Sequence, residues 1–259
     1  VKAIAARRNH RFAPVILLLL ALLATGGLYA ALAPSAVSAT APSESDVEAG
    51  KALFQANCAT CHGPSAEGRD GVPSLIGVGA ASVDFQVSTG RMPMQQNGPQ
   101  APAKPPQFDQ EQIQQLAAYV ASLGPGPAIP AKDQVDPAGG DAANGMALFR
   151  TNCAMCHGSI GKGGALSEGK YAPSLSGSTP TQIYEAMLTG PQSMPVFNDA
   201  NLSPDDKQDI IAFLEEQKAG APGGTDLGSV GPVVEGLWVW VAGLGLLIAC
   251  SVWIGAKSS

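Results

Sequence analysis

One segment of 14 residues occurs twice in this chain of 259. Gly50-Lys51-Ala52-Leu53-Phe54-Gln55-Ala56-Asn57-Cys58-Ala59-Thr60-Cys61-His62-Gly63 returns as Gly145-Met146-Ala147-Leu148-Phe149-Arg150-Thr151-Asn152-Cys153-Ala154-Met155-Cys156-His157-Gly158. The correspondence continues downstream. Val72-Pro73-Ser74-Leu75 matches Ala172-Pro173-Ser174-Leu175, and Thr89-Gly90-Arg91-Met92-Pro93 matches Thr189-Gly190 followed by Ser193-Met194-Pro195. A pattern repeated in this way describes one small unit used twice rather than a single large core. Each copy closes on an amphipathic helix. Ile113, Leu116, Ala117 and Val120 follow helical spacing behind an Asp109 cap; Ile210, Ile211, Phe213 and Leu214 form the buried stripe behind a Ser203 cap and Pro204. Strand signals are sparse, so each copy reads as a small helical domain with long loops. Gln95 to Gln107, with four prolines, is an extra loop in the first copy.

The two ends read differently. Pro14 to Leu32 is an apolar run of about 19 residues, near the ~20 that span a bilayer. Lys2, Arg7, Arg8 and Arg11 precede it and hold the N-terminus in the cytoplasm by the positive-inside rule. A cleaved signal peptide is the competing reading, with Val37-Ser38-Ala39 as its cleavage site, although signal cores run only ~7–15 apolar residues. A second uncharged run, Leu237 to Ile254, has Trp238 and Trp240 at one end, Trp253 at the other and Lys257 beyond. Two spans place both termini inside and everything between them outside. Five of the 15 basic residues lie in the tails, leaving 10 against 21 acidic residues outside, a net of −11. That charge balance excludes a general nucleic-acid binder. Cys250, within the second run, reads as a small buried hydrophobe.

Cys-x-x-Cys-His is the attachment signature of c-type haem. Two thiols at that spacing can each take one haem vinyl group, and the next residue offers its imidazole to the iron. All-cysteine zinc is the alternative, but it leaves the adjacent histidine unexplained in both copies. Two covalently bound haem c groups are therefore expected, on Cys58 and Cys61 and on Cys153 and Cys156, with His62 and His157 as iron ligands. The chain has three histidines, and His10 lies on the cytoplasmic side, so the sixth ligand comes from another residue type. Met92 and Met194 recur at the same place in the two copies, and thioether ligation raises a haem potential. Met94 competes with Met92. Met146, Met155 and Met187 read as packing residues. Pro73 and Pro173 either lend a carbonyl to the proximal histidine or are simply loop prolines. Leu75 and Leu175 would pack on the haem faces.

Each repeat resembles a class I cytochrome c domain, and the whole arrangement resembles the dihaem cytochrome c subunit of the actinobacterial cytochrome bcc complex, the menaquinol–cytochrome c reductase. The resemblance implies a mainly α fold: two tandem class I cytochrome c domains between an N-terminal and a C-terminal transmembrane helix. The expected divisions are tail and span 1–33, first domain 44–124, linker 125–140, second domain 141–219, linker 220–236, span 237–254 and tail 255–259. The resemblance also implies a place in the plasma membrane, with the haem domains on its outer side. The implied neighbours are membrane lipid, a cytochrome b subunit, a Rieske iron–sulfur subunit and a terminal oxidase with a dinuclear copper centre. In that role single electrons pass through the chain, which has no bond-making catalytic residues of its own. The electron-input subunit of a cbb-type oxidase is the runner-up, disfavoured by the C-terminal span. A dihaem peroxidase or sensor would need an open iron position, which the two methionines argue against.

Overall fold

The computed structural model describes residues 12–32, 42–96, 98–220 and 232–256. The basic tail with His10, the Val37-Ser38-Ala39 segment, Lys257 and most of the 220–236 linker lie outside the described residues. Helix α1 (Ala13–Leu32) belongs to a unit of its own, Val1–Ala41. Its stretch of described side chains, Ala13–Leu28, is a shorter apolar helix. At the other end, α10 (Pro232–Ala256) contains Gly236–Ala256, 21 residues with a mean hydropathy of 2.1. Among the described residues this is the one helix long and apolar enough to cross a membrane. The expectation of two spans is thus met at the C-terminal end only.

The first copy folds as α2 (Glu44–Asn57), the single turn α3 (Ala59–His62), α4 (Gly79–Ser88) and α5 (Gln110–Ser122). The second repeats it as α6 (Ala142–Asn152), α7 (Ala154–His157), α8 (Pro180–Thr189) and α9 (Pro204–Lys218). It adds a two-residue ribbon, β1 (Gly164–Ala165) antiparallel to β2 (Tyr171–Ala172). The helix starts follow the sequence. Asp109 accepts from the Gln112 N–H while the Gln112 side chain returns the bond. Ser203 and Asp206 form the same reciprocal box at α9, with Pro204 in the first turn. A cap of this kind contributes about 1 kcal/mol.

The first and last helices of each domain cross at a glycine. A Cβ on Gly50 would collide with the Gln115 carbonyl oxygen, and one on Gly145 with that of Asp209. One turn later a buried aromatic pair sits beside each crossing: Phe54 on Tyr119, centroids 5.2 Å apart, and Phe149 on Phe213 at 5.4 Å. Such pairs add about 0.5–1.5 kcal/mol beyond their buried area. Phe54, Val83, Ile113, Leu116 and Val120 make the first core; Phe149, Ile183, Met187, Ile210 and Leu214 make the second.

The copies are docked on each other. α4 packs against α8, where the Gln182 amide donates to Ser88 Oγ at 3.2 Å. The extra loop of the first copy reaches the second through two reciprocal pairs. Gln100 exchanges bonds of 2.8 and 2.9 Å with the backbone of Tyr171, and Gln192 exchanges bonds of 3.0 and 3.1 Å with that of Ala101. The stretch 125–140 is packed as well. Pro127 accepts from the Ala81 N–H, Val135 enters the second core, and the Gln208 amide donates to the carbonyls of Asp133 and Asp136.

Candidate haem sites

In both copies the cysteine motif follows a long helix directly. The Cys58 N–H closes α2 on the Phe54 carbonyl at 2.7 Å, and the His62 N–H bonds the Cys58 carbonyl at 2.9 Å. Cys153 and His157 repeat this at 2.8 and 2.9 Å. The turn ends on Gly63 and Gly158, whose φ of 83° and 73° lie where glycine is favoured. The chain then doubles back, so that His62 Nδ1 meets the Pro73 carbonyl oxygen at 2.9 Å and His157 Nδ1 meets that of Pro173 at 3.0 Å. Of the two sequence readings of these prolines, the geometry matches the carbonyl acceptor. With Nδ1–H donating to a carbonyl, the lone pair stands on Nε2, the tautomer a metal-binding imidazole needs. Burial also holds His157 below the usual imidazole range, which keeps it neutral.

All four motif cysteines are free of disulfides. Burial, reinforced by the neighbouring cysteine, pushes Cys58 and Cys153 up to about 11, so both stay protonated thiols near neutrality. No group of three or more His, Cys, Asp or Glu that could hold a metal ion occurs among the described residues, so the two cysteine pairs do not converge as all-cysteine zinc requires.

The methionines follow the second conserved stretch of the repeat. Gly90 and Gly190, at matching positions, take left-handed φ of 66° and 57° and turn the chain. Met92 donates its N–H to the Gln86 carbonyl and packs on the first core, whereas Met94 is 37% exposed. Met194 packs on the second core and lines a cavity of about 370 Å³ together with Cys153, Cys156, His157 and Leu175. That volume lies in the range of about 300–1,000 Å³ found for small-molecule sites. Thiols, a neutral imidazole and a thioether converge on one largely apolar space, a donor set that fits a covalently attached haem. Met146 and Met187 pack on the second core as expected. Met155 does not: its side chain is 94% exposed at the cavity rim, because the single turn of α7 points it away from the helices. Phe85, Arg91 and Gln100 of the first domain also line this cavity, which the repeat pattern did not indicate. The one signal available was the extra loop, whose proline-rich sequence has no counterpart in the second copy.

Comparison with known proteins agrees with this construction. Residues 47–124 match the family model of cytochrome c, and residues 140–214 match that of cytochrome c oxidase, cbb3-type, subunit III. A cytochrome bc1 complex cytochrome c subunit of Corynebacterium diphtheriae is 44% identical over 279 aligned positions, covering 99% of each chain. A subunit of the same description from Mycobacterium bovis is 46% identical over 261, covering 97% of this chain and 93% of its own. The cbb3-type cytochrome c oxidase subunit FixP of Sinorhizobium medicae is 33% identical over 126, reaching 45% of this chain and 40% of its own. Similarity to the cbb3-type subunit stops short of half the chain, whereas similarity to the bc1 subunits runs through both haem-type domains and both terminal helices. The chain belongs to the cytochrome c subunits of the cytochrome bc1 complex.

Proposed function

We propose that the chain relays single electrons from a Rieske iron–sulfur subunit, beside cytochrome b, to the dinuclear copper centre of a terminal oxidase, within a menaquinol-oxidising respiratory complex. Covalently bound haem supplies the one-electron iron couple. Cys58 and Cys61 hold one group and Cys153 and Cys156 the other. His62 and Met92 are the iron ligands of the first site, His157 and Met194 those of the second. The observation that carries this reading is the repeated imidazole–carbonyl bond, His62 to Pro73 and His157 to Pro173, which turns one free nitrogen toward each site. Met92 and Met194, each packed on its own core, support closed iron positions suited to carrying electrons rather than binding a substrate. The domains, 44–124 and 141–219, stand on the outer side of the plasma membrane between an N-terminal and a C-terminal span.

Mass measurement of the intact chain from native membranes tests the assignment. Two haem additions are expected, and Cys58→Ser with Cys61→Ser should remove one. Retention of both in that variant would overturn it.

A further inference from the structure

The cavity beside His157 and Met194 belongs to the second domain, yet among the described residues its one charged side chain other than the histidine comes from the first. That side chain is Arg91, the residue before Met92. It is only 9% exposed. The ion pairs of the described residues are Lys170–Glu168, Lys207–Asp199 and Lys218–Glu215, and Arg91 is in none of them. Its guanidinium lies over the Phe85 ring, 5.0 Å from the centroid, and Phe85 lines the same cavity. Burying a guanidinium without an anion is costly, and a group of opposite charge relieves that cost. The second copy offers no substitute: where the first has Gly90-Arg91-Met92, it has Gly190-Pro191-Gln192-Ser193-Met194.

Haem carries two propionate carboxylates. A planar guanidinium matches a carboxylate with two parallel hydrogen bonds, and lysine does so less well. We infer that Arg91 of the first domain binds a propionate of the haem held by Cys153 and Cys156, so that the second haem site is complete only when the first domain is docked on it. The inference rests on the haem assignment proposed above. Gln100 and Gln192, both lining the cavity, tie the two domains together beside this arginine. The contact also makes the residue next to one proposed iron ligand a binding residue for the other haem.

A cation beside a haem favours the reduced iron, so its removal lowers the potential. The test is a redox titration of the full chain in its native complex, with the two haems resolved by their spectra. A chain lacking the second haem, through Cys153→Ser and Cys156→Ser, assigns the signals. Arg91→Gln should lower the midpoint potential of the second haem more than that of the first, while intact mass still shows two haem additions. Arg91→Lys should recover most of the shift, which a purely packing role would not predict. Unchanged potentials in Arg91→Gln, equal shifts of both haems, or a shift of the first haem alone would each overturn the inference. Loss of a haem already in the unaltered chain would instead overturn the haem assignment, so the two failures are distinguishable.

Discussion

His62 Nδ1 lies 2.9 Å from the carbonyl oxygen of Pro73, a residue eleven positions further along the chain. The acceptor is backbone, so the bond depends on the path of the loop and not on the proline ring. Pro73→Ala keeps the carbonyl and removes only the restriction on the unfolded chain, worth about 0.4–1 kcal/mol. The variant should lose about that much stability in thermal unfolding and keep the spectrum and potential of the first haem. A large fall in that potential would show the ring itself to be needed.

The two methionines of the first site separate by exposure. Met92→Ala should open the first iron to carbon monoxide and lower its potential, because thioether ligation favours Fe(II). Met94→Ala, at a side chain 37% exposed, should do neither. Carbon monoxide difference spectra of the two variants decide between them, and the reverse result would move the ligand to Met94.

Serial order through the chain is checked with quinol as donor. Met194→Ala should leave the first haem reducible and stop oxygen consumption. Met92→Ala should keep electrons from the second haem. Normal quinol reduction of the second haem in Met92→Ala would replace the serial route with a parallel one.

Gly50 and Gly145 are where helices touch backbone to backbone. Alanine at either should destabilise its own domain by about 1–3 kcal/mol, the usual cost of overpacking, because the obstructing atom is a carbonyl that cannot rotate away. Thermal unfolding of each variant measures this, with the unaltered domain as internal reference.

Asp84 and Glu185 face each other between α4 and α8. Asp84 Oδ1 and both Glu185 carboxyl oxygens are buried without a hydrogen-bond partner among the described residues. Burial, then the Asp84 charge, pushes Glu185 up to about 10, and burial raises Asp84 as well. Glu185 therefore enters the fold as the acid, the form able to donate to Asp84. Between the ordinary 4.5 and about 10 the folded chain keeps a proton that the unfolded chain releases, so stability falls as pH rises through that window. Glu185→Gln keeps a donor and removes the titration. Denaturation midpoints followed from acid to alkaline pH should decline less steeply in the variant, and an unchanged slope would mean Glu185 is ionised in the fold.

The legible parts were those set by local chemistry. Ser203, Asp109 and the Cys-x-x-Cys-His turns act within a few residues of themselves, and the repeat exposed each of them twice. Pro73 and Pro173 stood open in sequence because their role depends on a carbonyl, which every residue carries. Arg91 was invisible for another reason: it stands in one copy but lines the cavity of the other, and no periodicity records contacts between copies. Nothing in the sequence pairs Asp84 with Glu185, which lie about a hundred residues apart and meet only when α4 and α8 come face to face. Met155 was misread because a four-residue turn is too short for helical spacing to say which side faces inward.

The docking of the two copies has a consequence for assembly. Identical tandem modules would each carry both halves of any contact between them, and a head-to-tail contact of that kind can propagate into filaments. Here the halves are segregated. The loop bearing Gln100 and Ala101 exists in the first copy, and its partners Tyr171 and Gln192 lie in the second. Gln192 itself sits in the short stretch that breaks the repeat before Met194. Once these groups have bonded within one molecule, neither face is left to recruit another. The two departures from duplication act together as a chain terminator, closing the array at two.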